Sequence, residues 1–289
     1  MTGFSVCVLG SSHTAALKQA WTNRPYGTRD SFSMTFFAAR GLMLNGLECR
    51  DGVLVPTKSE LREMIVYTSG GEDRIEIGKY DAFVLVALGF NIDVTELSSQ
   101  GSIAEHLKWG PAETLMSHSL FNAVTRASLE ASLALKLVNT IRSISDRPIL
   151  ICPRPFPPET VLCDEPYSGS AQLRDAALLQ TLMTIGKGAA LEVSRNHDCE
   201  LIWQDDSTTG LPGFTKAEFT QSPSLLFRGK GGRRADPAGH MNEEYGAQVL
   251  TAILHRLDAL CGGRVLAQPA TSKSPVQKAS RRRSKASTA

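Results

Sequence analysis

Residues Ala82–Leu88 read A-F-V-L-V-A-L, an apolar run with no polar interruption. A strand that shows one face to water alternates apolar and polar positions. A continuous run needs cover on both faces, which is the condition of a central strand in a parallel sheet between helices. Two further segments read the same way. Phe4–Leu9 (F-S-V-C-V-L) ends at Gly10, and Pro148–Cys152 is stopped by Pro153 and Pro155. Glu200–Trp203 reads as a last short strand. Ser33–Ala38 and Gly52–Val55 read as extended.

Helical patterns separate these strands. Ala16, Leu17, Ala20 and Trp21 share one helical face, and Ser59–Val66 reads as helix. Leu120, Val124, Ala127, Ala131, Ala134, Val138 and Ile141 recur at alternating spacings of four and three, which predicts one continuous amphipathic helix. Leu173–Ser194 reads as helix despite Gly186 and Gly188. Leu250, Ile253, Leu257 and Leu260 mark a final helix ended by Gly262-Gly263. No internal repeat interrupts this order. Strands joined by long helices imply βαβ units, hence a three-layer α/β/α domain with a mostly parallel sheet of about five strands.

Composition bounds the rest. The chain has 289 residues, 42% hydrophobic and 21% charged, which excludes disorder for most of it. No apolar run approaches the roughly 18 residues of a membrane helix. No secretory signal pattern opens the chain, so a cytoplasmic location without membrane contact is expected. Of the 31 basic residues, six lie between Gln268 and Ala289, where there is no acid. The remaining 25 face 29 acidic residues, so the folded part is not expected to bind nucleic acid. Residues 1–263 are expected to form one domain and 264–289 a disordered basic tail. The six cysteines (Cys7, Cys49, Cys152, Cys163, Cys199, Cys261) contain no C-x-x-C pair. Reduced, mostly buried thiols are expected, with no metal site.

In open α/β sheets, ligands bind at the carboxyl ends of strands. Three segments place polar residues there. Gly10-Ser11-Ser12-His13 follows the first strand, and Gly89-Phe90-Asn91-Ile92-Asp93 follows the central one. Asp236-Pro237-Ala238-Gly239-His240 precedes the last helix. A serine at a strand-to-helix turn has its N–H near a helix N-terminus, a favourable place for an oxyanion. Asn91 can donate to the same oxyanion, and a histidine with a nearby acid can accept the serine proton. Each segment also has a plainer reading: a helix N-cap for Ser11 or Ser12, a turn for Asn91, a surface or capping histidine for His240.

Together, the three segments resemble the SGNH, or GDSL-like, hydrolase superfamily in its bacterial form. Its first block, Gly-Asp-Ser or Gly-Asn-Ser, is matched by Gly10-Ser11-Ser12. Its third block, Gly-x-Asn, is matched by Gly89-Phe90-Asn91. Its last block, Asp-x-x-His, is matched by Asp236 to His240, and the continuation Met241-Asn242-Glu243-Glu244-Tyr245-Gly246 is also similar. Three positions depart from the pattern. Ser11 replaces Asp or Asn, Pro237 stands at the usual acid position, and the second-block glycine is matched by either Gly41 or Gly46.

The resemblance implies a flavodoxin-like fold and a serine esterase with no cofactor. Ser12 is the implied nucleophile, His240 the base and Asp236 the acid. Asn91, the Ser12 N–H and a glycine N–H such as that of Gly41 are the implied oxyanion donors. The implied substrate is an ester, such as an O-acyl group on a carbohydrate or small metabolite. An O-acyltransferase using the same serine, and a non-catalytic carbohydrate-binding or assembly protein on the same fold, are the alternatives.

Other features read more plainly. Phe227–Arg234 is a glycine-rich basic loop without the P-loop pattern. Asp205 and Asp206 suit a cap or turn. His13 is expected to point away from the nucleophile along its helix. His106, His118, His197 and His255 have no evident partner in the sequence.

Overall fold

A computed structural model describes residues 3–24, 31–95, 102–103, 115–164, 172–221 and 239–260. The strands are β1 (Phe4–Gly10), β2 (Phe32–Ala38), β3 (Leu47–Arg50), β4 (Val53–Pro56), β5 (Ile75–Glu76), β6 (Ala82–Val86), β7 (Ser102–Ile103), β8 (Leu115–Met116), β9 (Ile149–Cys152) and β10 (Glu200–Leu201). The helices are α1 (Thr14–Asn23), α2 (Ser59–Ser69), α3 (His118–Glu130), α4 (Leu133–Arg142), α5 (Ala176–Asn196) and α6 (Glu243–Leu260).

The main sheet has five strands in the order β10-β9-β6-β1-β2, and every pairing in it is parallel. Taken in chain order, that is the flavodoxin-like arrangement, with its switch point between β1 and β6. The apolar runs divide between two faces, as strand period two requires. Val6, Val8, Val84, Val86, Leu150 and Cys152 pack under α1 and α6, with Leu17, Leu250, Ile253 and Leu257. Cys7, Leu9, Phe83, Leu85, Ile149 and Ile151 face the other way, onto α2, α3, α4 and α5. The chain is therefore a three-layer α/β/α domain.

The expected long helix over 120–141 is two helices. The chain breaks at Ala131 and Ser132, and the Ser132 hydroxyl accepts the Leu135 N–H as the cap of α4. The break also rotates the buried face of α3. Phe121, Thr125 and Leu129 are inside, while Leu120 and Val124 are exposed. The central strand stops at Val86, two residues short of its apolar run, because Ala87 and Leu88 turn into left-handed backbone.

A small antiparallel sheet, β3-β4-β5, lies beside the main one. Its hairpin turns at Asp51 and Gly52, both at positive φ, between the paired residues Arg50 and Val53. An Asp-Gly pair is the strong signal for such a two-residue turn. It stood in the sequence beside the expected strand at 52–55. Strands β7 and β8 form a separate parallel pair.

Among the described cysteines, Cys7, Cys152 and Cys199 are buried, Cys49 and Cys163 are exposed, and all are free thiols. No described helix is long and apolar enough to cross a membrane. No group of three or more described His, Cys, Asp or Glu residues could hold a metal ion.

Candidate active site

The turn after β1 divides its two serines between different tasks. Ser11 is buried, and its N–H donates to the Val86 carbonyl at 3.3 Å. Its carbonyl accepts the Thr14 N–H, and its hydroxyl accepts the His13 N–H at 3.4 Å. Ser11 thus ties the turn to β6, while α1 begins at Thr14 with His13 at its N-cap and no side-chain capping bond. Ser12 contributes its carbonyl to Ala15 N–H. Its side chain is half-exposed and has no hydrogen-bond partner among the described residues.

His13 reaches the segment before α6. Its ring stacks on that of His240, with centroids 5.2 Å apart and planes 15° from parallel. Its Nδ1 is shut away from solvent with no hydrogen-bond partner. Burial, and after it the charges of Arg154 and His240, lower its pKa to about 3. His13 is therefore neutral at physiological pH and a poor proton acceptor.

His240 is held in this place by the start of α6. Asn242 caps that helix by accepting the Tyr245 N–H at 3.1 Å. It also donates its backbone N–H to Phe219 O and its side-chain N–H to Glu218 O. The buried Tyr245 hydroxyl donates to Gln204 Oε1 at 3.2 Å, an oxygen that also accepts the Phe156 N–H. Burial holds that phenol well above its ordinary pKa. A Cβ at Gly246 would lie 2.1 Å from the Ala16 carbonyl oxygen, so α6 crosses α1 at backbone contact. The Asn-x-x-Tyr-Gly run thus fixes α6 against α1, and with it the position of His240 beside the first turn.

The loop after β6 is strained and pinned. Ala87, Leu88 and Gly89 have φ of +64°, +53° and +76°. Non-glycine residues in this region cost about 1–3 kcal/mol each and persist only where their surroundings hold them. Here Ala87 N–H donates to Cys152 O, Phe90 N–H to Ala87 O, Ala134 N–H to Leu88 O and Arg154 N–H to Phe90 O. Asn91, half-buried, comes directly after, at the carboxyl edge of the strand that neighbours β1. Its side chain has no hydrogen-bond partner among the described residues.

Gly41 is exposed at φ +51° just past β2, whose last residue Ala38 pairs with Gly10. It sits at the same sheet edge as Ser12. Gly46, the alternative, ends the short turn before β3, gives its carbonyl to Thr57 and packs near Leu61. Asp236 and the basic loop Phe227–Arg234 lie outside the described residues, as do His106, Cys261 and the tail.

Other polar residues have structural work. The Asp205 carboxylate accepts the Ser207 N–H, and the Ser207 side chain first, then that backbone bond, lower its pKa. His197, expected to be without a partner, has two. Nδ1 lies 2.9 Å from Asn139 Oδ1 and Nε2 lies 2.7 Å from Glu130 Oε2, linking α3 and α4 to the end of α5. Arg154 was missed by sequence reading. It comes after β9 between two prolines, is exposed, and its guanidinium lies about van der Waals distance from the site of a Gly239 Cβ, at 3.8 Å. Its place after a buried strand was the signal.

The class these features define is a parallel α/β/α domain with a serine turn, a histidine pair and a strained asparagine loop gathered at its topological switch point. The chain matches no protein-family model and no curated protein. Among solved structures it is similar to a Streptococcus pneumonia protein provisionally described as a platelet activating factor, at 12% identity and TM-score 0.41, covering 89% of this chain and 85% of that one. It is also similar to an acetyl xylan esterase, at 11% identity and TM-score 0.37, covering 88% and 100%. A third similar structure is a DUF4886 family protein from Bacteroides uniformis, at 14% identity and TM-score 0.38, covering 96% and 88%. These likenesses are too distant to carry the role of any residue.

Proposed function

We propose that this chain is a serine ester hydrolase acting on an O-acyl group of a carbohydrate or small metabolite. The observation that carries the reading is the division of labour at the first turn. Ser11 is consumed by the fold, while Ser12 is left half-exposed one residue from the ring that stacks on His240. A hydroxyl at a helix start, beside a histidine and free of structural bonds, suits a nucleophile.

In this mechanism Ser12 Oγ attacks the ester carbonyl and its proton passes to His240. The tetrahedral oxyanion is held by Asn91 Nδ2 and the Ser12 N–H, with the Gly41 N–H as a third donor. The acyl–oxygen bond breaks, and His240 returns the proton to the departing alkoxide. Water then attacks the acyl-Ser12 ester by the same route and releases the carboxylic acid. Asp236 orients His240 and stabilises its protonated form. The strain at Ala87 and Leu88 supports the donor role, because a loop held this rigidly presents Asn91 at a fixed place.

Labelling with a fluorophosphonate probe tests the reading. Wild type and Ser11→Ala are expected to label and Ser12→Ala not to. No labelling of correctly folded wild type would overturn it.

A further inference from the structure

A groove of about 440 Å³ lies between α5 and the segment that follows β10. None of Ser12, Asn91, Gly41 or His240 lines it. Gln180, Met183, Thr184, Lys187 and Gly188 supply one wall, and their spacing puts them on one face of α5. Trp203, Asp206 and Thr209 supply the other. Small-ligand sites are concave spaces of this size that combine apolar surface with a few polar groups.

The two glycines of α5 have different surroundings. A Cβ at Gly186 would lie 2.6 Å from Ile92 Cγ2, so close packing requires that glycine. A Cβ at Gly188 would meet nothing within 4 Å. Glycine is unfavourable inside a helix, and no packing contact demands it at position 188. Its effect there is to keep the groove open beside Trp203.

Trp203 is half-buried, and Phe156 packs edge-on against it with ring centroids 5.6 Å apart. Lys187 Nζ lies over the indole, 5.6 Å from its centroid. Among the described residues, the exposed Lys187 makes no ion pair, and the Gln180 amide and Asp206 carboxylate have no partner.

These groups select a class of ligand. An apolar molecule would take the amide, ammonium and carboxylate out of water unpaired, which is costly. An anion would face Asp206, and a cation would face Lys187. A saccharide meets both demands. Its C–H face covers an indole, and its hydroxyls donate to Asp206 and Gln180 Oε1 and accept from Lys187 and Gln180 Nε2.

We propose that this groove binds a neutral saccharide of one or two rings, packed on Trp203 and held by Gln180, Lys187 and Asp206. On binding, the Lys187 ammonium leaves the indole face and donates to a hydroxyl. The proposal goes beyond the esterase reading and does not depend on it, since no part of this ligand has to reach Ser12.

The test uses isotope-labelled full-length protein and a panel of neutral saccharides. The panel holds the methyl glycosides of glucose, galactose, mannose, xylose and N-acetylglucosamine, with cellobiose, maltose and lactose. Binding is read from backbone amide shifts at Thr184 and Gly188, and at least one member is expected to move both. Trp203→Ala is expected to weaken its Kd about tenfold, and Asp206→Ala several-fold. Trp203 also packs on Phe156, so Gly188→Leu is the variant whose folding is secure. It fills the groove from a position free of contacts, and should abolish the Thr184 shift with the melting temperature unchanged or higher. No shift with any member overturns the proposal. A Thr184 shift that survives Gly188→Leu also overturns it, because the saccharide then sits elsewhere. Inorganic phosphate moving the two amides where no saccharide does overturns it as well, and makes the groove an anion site at Lys187.

Discussion

The imidazole of His13 lies face to face with that of His240, their centroids 5.2 Å apart and their planes 15° from parallel. One ring belongs to the turn after β1 and the other to the segment before α6, so the stack records how α1 and α6 meet. Because His13 is held neutral, it adds no positive charge against a protonated His240. In the proposed mechanism His240 would therefore take the Ser12 proton beside an uncharged ring.

Ser12→Ala is expected to lower esterase kcat by about 10⁴-fold, because a nucleophile and its base act as a unit. Unfolding should change little, since the Ser12 side chain makes no bond among the described residues. Ser11→Ala should do the reverse. It removes the acceptor of the His13 N–H at 3.4 Å, a turn bond worth about 0.5–1.5 kcal/mol, and should retain substantial kcat. Kinetics and thermal unfolding of the two variants side by side decide this. A dead Ser11→Ala with an active Ser12→Ala would move the nucleophile to Ser11.

Asn91→Ala is expected to lower kcat by about 10²–10³, the usual effect of losing one oxyanion donor. KM should stay nearly constant, because the donor acts on charge that develops only in the transition state. Steady-state kinetics on one ester provides the check. A raised KM with unchanged kcat would make Asn91 a substrate-positioning residue.

The main sheet was legible because burial on both faces leaves an unmistakable apolar run, as at Ala82–Val86 and Ile149–Cys152. The site was legible in part. Ser12, Asn91 and His240 could be placed at one edge because strand order and the carboxyl-edge rule need no side-chain detail. The break at Ser132 was not, since a capping serine inside a helical periodicity looks like one more polar position. The left-handed turn at Ala87 and Leu88 was hidden for a related reason. Both are apolar and continue the strand pattern, and only the bonds to Cys152, Ala134 and Arg154 impose the turn. The orientation of His13 was likewise set from outside its own helix, by the approach of α6.

Gly246→Ala tests that approach. The added Cβ would meet the Ala16 carbonyl 2.1 Å away, and backbone cannot yield as a flexible side chain does. The helices must separate, at a cost of about 1–3 kcal/mol for overpacking. His240 moves with α6, so kcat should fall along with the melting temperature. Calorimetry and kinetics on one preparation provide the measurement. Wild-type values for both would show that the His240 position does not depend on this crossing.

His13 also gives stability a pH dependence whose sign can be worked out. Its folded pKa of about 3 lies below the ordinary 6.5. Between these values the unfolded chain binds a proton that the folded protein excludes, so stability rises with pH across this window. Put the other way, the contribution is intact above about pH 6.5 and is lost as pH falls towards 3. The slope is at most about 1.4 kcal/mol per pH unit for one proton. Urea unfolding of wild type and His13→Phe at pH 7, 6, 5 and 4 isolates the term, because Phe keeps an aromatic face against His240 and cannot take up a proton. The variant is expected to lose less stability than wild type at each step below pH 6.5. Parallel stability curves for the two proteins would show that His13 titrates normally in the folded state, and that its ring is not sealed beneath His240.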